Sequence, residues 1–117
     1  MSKDNLVFVF HIRDCISKIF KYVDGLSKEE FLQSDLIHDA VIRNFEIIGE
    51  ASKKLDLQFR NRYPNVPWRK MSGMRDVLIH DYMGVDLWSV WDTINSYLPE
   101  VQRSIQEIIS TETDSSN

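Results

Sequence analysis

The 117-residue sequence holds one cysteine, Cys15. No internal disulfide can form, which fits a reducing compartment. Long hydrophobic runs are missing too: none approaches the ~20 residues of a membrane span. LVFVF (6–10) is too short for a signal peptide and is badly flanked, with Asp4 before it and His11, Arg13 and Asp14 after it. The expectation is a cytoplasmic protein that makes no membrane contact. Apart from LVFVF no stretch alternates with period two, and there is no repeat or low-complexity segment, so a sheet is not expected. Glycine (four) and proline (three) are scarce, and two prolines fall together in NRYPNVPW (61–68), the main break in the chain.

The remainder is ordinary for a globular domain, with 43% hydrophobic and 27% charged residues. A chain of this length buries roughly two-thirds of its unfolded surface, so it needs no staple. Net charge is -4, which by itself disfavours nucleic acid. The distribution points the other way. KKLDLQFRNRYPNVPWRKMSGMR (53–75) carries seven Lys/Arg against one Asp, a local balance of +6, and leaves -10 for the rest. A phosphate feels local charge. A solvated loop with incidental charge fits the same residues.

Apolar positions Val9, Ile12, Ile16, Ile19 and Val23 recur at helical spacing, and Asp24-Gly25 closes that helix. Ser27 and Glu30 form a capping-box pattern ahead of a short helix. Ser34 or Asp35 caps the next, which carries Ile37, Val41, Phe45, Ile48 and Leu55 and is expected to run to about residue 57. Pro67 suits the first position of the following helix. Gly84 and Asp86 mark its end and the next start. Leu87, Trp91, Ile94 and Leu98 continue the helical spacing. Pro99 predicts a kink or restart, and Val101, Ile105 and Ile108 extend the stripe. The fold class is all-α, an antiparallel bundle of four or five helices. One domain is expected over 1–110, with a polar, frayed tail over 111–117.

MRDVLIHDY (74–82) is the stretch with chemistry. It sets Arg75, Asp76, His80 and Tyr82 around Val77, Leu78 and Ile79, a mixture suited to a seam between chains. Arg75 and His80 point about 140° apart on an ideal helix, whereas Arg75 and Tyr82 differ by about 20°. A swung arginine side chain or a second copy of the helix is needed to unite Arg75 with His80. Asp76 and His80 are an i,i+4 pair, so Asp76 can fix the imidazole tautomer. Arginine suits a phosphate and histidine exchanges a proton near neutral pH. Together they are parts for metal-free RNA cleavage, in which His80 deprotonates a ribose 2′-OH and Arg75 stabilises the charge that develops. The residues alone equally fit Arg75 in a surface ion pair with Asp76 or Asp81 and His80 as a helix-end residue.

RDVLIHDY also matches the R-[polar]-x-x-x-H-x-Y motif of the HepT-like ribonucleases of the HEPN superfamily of helical bundles. RNFEIIGEASKKL (43–55), YPNVPWRKMSGMRDVLIHDYMGVD (63–86) and LWSVWDTINSYLPEVQRSI resemble successive family blocks in the same order. The resemblance implies a cytosolic toxin of a toxin–antitoxin pair, an endoribonuclease working as a homodimer with the motif lining the dimer cleft. It implies Arg75 and His80 as the catalytic pair with Asp76 in support. Tyr82 matches the tyrosine that a partner nucleotidyltransferase antitoxin of the minimal (MNT) type modifies with AMP. Arg69 and Lys70, just before the motif, are the candidate RNA-binding residues.

Other polar residues read structurally. Arg43–Glu46 and Glu50–Lys54 are helix pairs, and Glu46–Glu50 is a mild repulsion. His11 and His38 have no partner at metal spacing, so no metal or other cofactor is expected. Trp68, Trp88 and Trp91 read as packing groups and Cys15 as an inert buried thiol. The competing function is a non-catalytic helical partner that binds a nucleotidyltransferase or a nucleotide, with Arg75 holding a phosphate and His80 moving no proton.

Overall fold

The computed structural model describes residues 3–73 and 86–114. Those residues form an all-α bundle, with no strand among them. Helix α1 (Lys3–Val23) buries Val9, Ile12, Ile16 and Ile19 completely and leaves His11, Ser17, Lys18 and Lys21 in solvent. Cys15 lies beside that stripe, and burial pushes its thiol up from the ordinary value. Gly25 ends the helix at φ 76°, a left-handed conformation that glycine enters without a Cβ penalty.

Helix α2 (Lys28–Gln33) opens with the expected reciprocal cap: Glu30 N–H donates to Ser27 Oγ at 3.1 Å and Ser27 N–H to Glu30 Oε1 at 2.8 Å. Those hydrogen bonds, led by the one from the Ser27 backbone, hold the Glu30 carboxyl below its usual range. Ser34 alone joins α2 to α3 (Asp35–Lys53) and caps it, accepting from Ile37 N–H at 3.2 Å. Helix α3 packs along α1 through Val41, Ile42, Phe45 and Ile48. Its buried polar groups are satisfied within reach. Asn44 donates to Ala40 O and Ser52 to Ile48 O, both at 2.8 Å, and the His38 ring bonds Phe31 O.

Helix α3 stops at Lys53, a turn earlier than the sequence pattern suggests, although Leu55 stays buried beyond it. The reason lies fifty residues upstream. Asn5, 1% exposed, accepts from Asp56 N–H and donates to the Asp56 carboxylate, both at 3.1 Å. That clip holds Asp56 extended and starts a further helix, α4 (Leu57–Arg62), with Phe59 in the core. The sequence pattern does not announce a helix at 57–62. After the proline loop, residues 68–73 are helical (α5), and Met71 N–H donates to Pro67 O, which makes Pro67 the capping residue rather than the first helical one.

Asp86 opens α6 (Leu87–Asp92) by accepting from Trp88 N–H and Ser89 N–H. Thr93–Tyr97 form a π-helical turn, and α7 (Leu98–Asp114) restarts with Pro99 in its first turn. In an α-helix the Pro99 ring would press on the carbonyl four residues back. The wider turn gives that ring room, and Leu98 N–H reaches Thr93 O instead. Thr93, Asn95 and Ser96 side chains bond the carbonyls of Ser89, Trp91 and Asp92, which weakens the regular ladder where it widens. Helix α7 buries Val101, Ile105 and Ile108 against α1. It runs to Asp114, so residues 111–114 are helical where the sequence suggests a frayed tail. Trp88, which the sequence suggests as a packing group, is instead 55% exposed, with Lys28 Nζ 3.8 Å from its ring centroid.

Truncating Asn5 to Ala strands the Asp56 N–H. Leaving a buried polar group unpaired costs roughly 1–3 kcal/mol. The expected outcome is a thermal midpoint lowered by several degrees in circular dichroism. An unchanged midpoint would show that the clip does not hold α4.

Candidate nucleic-acid interface

Arg75, Asp76, His80 and Tyr82 lie in residues 74–85, outside the described residues. The flanks of that segment are described in detail. On its N-terminal side, Trp68 and Met71 anchor α5 in the core. The loop before α5 is held by its own backbone: Tyr63 O accepts from Val66 N–H at 3.2 Å and from the Trp68 indole N–H at 3.0 Å. On its C-terminal side stands the Asp86 cap, whose carboxyl is kept below its usual range chiefly by the Ser89 hydroxyl.

The Tyr63 side chain continues the restraint. Its ring lies against Phe59 with centroids 5.3 Å apart, and its hydroxyl donates to the Glu112 carboxylate at the end of α7. Arg62 pairs with the same carboxylate at 3.2 Å. Burial, followed by the Glu112 hydrogen bond, pushes the Tyr63 phenol up to about 12.

Helix α4, the proline loop and α5 enclose a solvent-open groove of about 660 Å³. Arg69 and Lys70, the two sequence candidates for RNA binding, are exposed and line it together. Arg60 and Asn61 join them from α4. In the sequence, Arg60 is one charge among several in the basic stretch and carries no role of its own. Its charge is the only signal there; the helix that turns it toward Arg69 is what the pattern lacks. Among the described residues no carboxylate lines the groove. The charges within the basic stretch are therefore unequal. Arg62 is neutralised by Glu112 and Lys54 sits over the Phe8 ring, whereas Arg60 and Arg69 line one channel with Lys70 at its border.

Lys70 also borders a second depression of about 380 Å³ with Ser89, Asp92, Thr93, Ser96 and Tyr97, and its Nζ lies 4.3 Å from the Tyr97 ring centroid. Burial raises the Tyr97 phenol. Among the described residues no cluster of three or more His, Cys, Asp or Glu could hold a metal ion. None of the described helices is long and apolar enough to cross a membrane.

An all-α bundle with a cationic groove defines a class of helical proteins with a surface suited to a polyanion. Comparison with known proteins narrows that class. The family model described as ribonuclease HepT-like matches residues 12–108, and the chain belongs to that family. A Methanocaldococcus jannaschii protein named "Putative RNase" is 38% identical over 107 residues, 92% of each chain. A "Probable ribonuclease HepT" of Thermococcus cleftensis is 35% identical over 108 residues, 92% of this chain and 98% of that one. A second M. jannaschii protein, "Gamma-glutamylcyclotransferase and putative RNase", is 38% identical over 109 residues, and the present chain spans 49% of its length. No solved structure matches the chain.

The Tyr63 environment is open to direct titration. Because the folded-state phenol lies above the ordinary value of 10.0, its contribution to stability is complete below pH 10 and is lost as pH rises toward about 12. Ultraviolet titration should show late-ionising tyrosine, and Tyr63→Phe should remove part of that late phase. All tyrosines ionising together near pH 10 in the folded protein would contradict the Glu112 contact.

Proposed function

We propose that the protein is a metal-independent endoribonuclease toxin of a toxin–antitoxin pair. The observation that carries the reading is the family match over residues 12–108, which contains the complete R-x4-H-x-Y motif at Arg75, His80 and Tyr82. The names of its relatives support ribonuclease activity. The cationic groove between α4 and α5 gives a polyanion a place to lie.

In the proposed reaction His80 takes the proton of a ribose 2′-OH. The O2′–P bond forms, the P–O5′ bond breaks, and the departing 5′ oxygen takes up a proton, leaving a 2′,3′-cyclic phosphate. Arg75 stabilises the charge on the phosphoryl oxygens. Asp76 holds the imidazole tautomer, and Arg69 and Lys70 hold the RNA backbone. Since Arg75 and His80 point about 140° apart on one ideal helix, a homodimer that apposes two motif helices is the simplest way to assemble the pair. DNA has no 2′-OH and escapes this chemistry. The proposed site of action is the cytoplasm.

His80→Ala should lower cleavage by ~10²–10⁴ while the helical circular dichroism stays intact. Cleavage by the unaltered protein should persist in EDTA, with cyclic phosphate ends on the product. Full activity in the variant, or loss with chelator alone, would refute the mechanism, whereas no cleavage by the unaltered protein would favour a non-catalytic partner of a nucleotidyltransferase.

Control is proposed to act through Tyr82. A nucleotidyltransferase antitoxin would transfer AMP from ATP to the phenol oxygen, releasing pyrophosphate. On a regular helix Tyr82 and Arg75 share a face to within about 20°. The added phosphate would then occupy Arg75 and repel incoming RNA. Tyr82→Phe should escape both modification and silencing on co-expression, as read by intact mass and growth. A variant that still gains the AMP mass would place the acceptor elsewhere.

A further inference from the structure

We propose that the groove between α4 and α5 is a sequence-tolerant track for the RNA sugar-phosphate backbone, with Arg60 as its central phosphate ligand. The inference rests on the ribonuclease reading and assigns the site that holds the strand outside the reacting phosphodiester.

Three observations carry it. First, the groove gathers Arg60, Arg69 and Lys70 with Asn61, and no carboxylate stands among its described lining residues. In a protein whose net charge is -4, that separation directs a polyanion to this channel. Second, Arg60 is half-buried and its Nε is buried with no acceptor among the described residues. A guanidinium that spends its charge on an internal pair looks different: Arg62, two residues on, meets Glu112 at 3.2 Å. The Arg60 guanidinium lines the groove, and its planar fork suits a phosphate partner there. Third, the described lining offers no free ring to stack a base. Trp68 is 6% exposed and its indole N–H is committed to Tyr63 O. Base stacking needs an exposed aromatic face, so the charged lining is left to contact phosphate, and a phosphate contact carries no direct sequence information. In the floor, Tyr63 O accepts from both Val66 N–H and the Trp68 indole N–H. Lys70 stands five residues before Arg75 in the chain.

The test is equilibrium binding of a fluorescent, fully 2′-O-methylated RNA of about twelve nucleotides, which cannot be cut by 2′-OH attack. Fluorescence anisotropy is recorded across a salt series with the full-length protein. Each phosphate contact to a single strand contributes about 0.7 to the slope of log K against log salt. Arg60→Gln/Arg69→Gln should therefore flatten the slope by about 1.4 and weaken binding roughly tenfold at physiological salt. Arg60→Lys/Arg69→Lys keeps the charges and should keep most of the slope, which separates charge from fold. Lys18→Gln/Arg103→Gln, on exposed faces of α1 and α7, removes the same charge elsewhere and should leave the slope unchanged. Two RNAs of unrelated sequence should bind alike.

The proposal falls if the Gln pair leaves the slope unchanged, if the α1/α7 pair flattens it equally, or if unaltered protein binds no modified RNA. It also falls if the Gln pair affects only capture of a co-expressed nucleotidyltransferase, since the groove is then a protein interface. Groove-dependent binding without any cleavage of ordinary RNA would uphold the track and remove the nuclease reading. Cleavage that persists with an unaltered salt slope in the Gln pair would do the reverse.

Discussion

The residue on which the rest of the structure depends is Tyr63. Its carbonyl accepts from Val66 and from the Trp68 indole, its ring packs on Phe59, and its hydroxyl meets Glu112 at the far end of α7. One side chain and its carbonyl thereby join α4, the proline loop, α5 and the last helix. Two prolines in this loop remove backbone donors that would otherwise organise it. Tyr63 supplies the missing order from both its main chain and its side chain. It adds to the core anchors Phe59, Trp68 and Met71 in fixing Arg60 relative to Arg69.

The electrostatics follow from that arrangement. Seven basic residues lie between 53 and 75, and counting them suggests a diffuse basic surface. The fold sorts them. Arg62 is consumed by Glu112, Lys54 covers the Phe8 ring, and Arg60, Arg69 and Lys70 share the groove. Exposed charges act over about 8 Å at physiological salt. A phosphate in the channel therefore feels the cations that line it more than carboxylates beyond that distance.

Helices whose signals are local are legible in the amino-acid sequence. The α1 stripe, the Ser27–Glu30 cap, Ser34 and Asp86 all appear where the spacing places them, because each depends on residues three or four apart. The departures from the sequence pattern share the opposite cause. The early end of α3 and the existence of α4 depend on Asn5, fifty-one residues from Asp56. The order of residues 111–114 depends on Tyr63 and Arg62, about fifty residues away from Glu112. Trp88 reads as a packing group by its type, but its first-turn position in α6 leaves it over Lys28 in solvent.

By itself the sequence determined the helical class, the principal core stripe, the caps and the R-x4-H-x-Y segment that identifies the HepT-like ribonuclease family, since periodicity and motif spacing are properties of neighbours along the chain. The meeting of Arg60 with Arg69 and Lys70 was decided only in the tertiary structure. So was the neutralisation of Arg62, and so was the burial that lifts the Tyr63 phenol to about 12. These depend on desolvation and on distances across the fold, and neither quantity is defined until α4, the proline loop and α7 pack together.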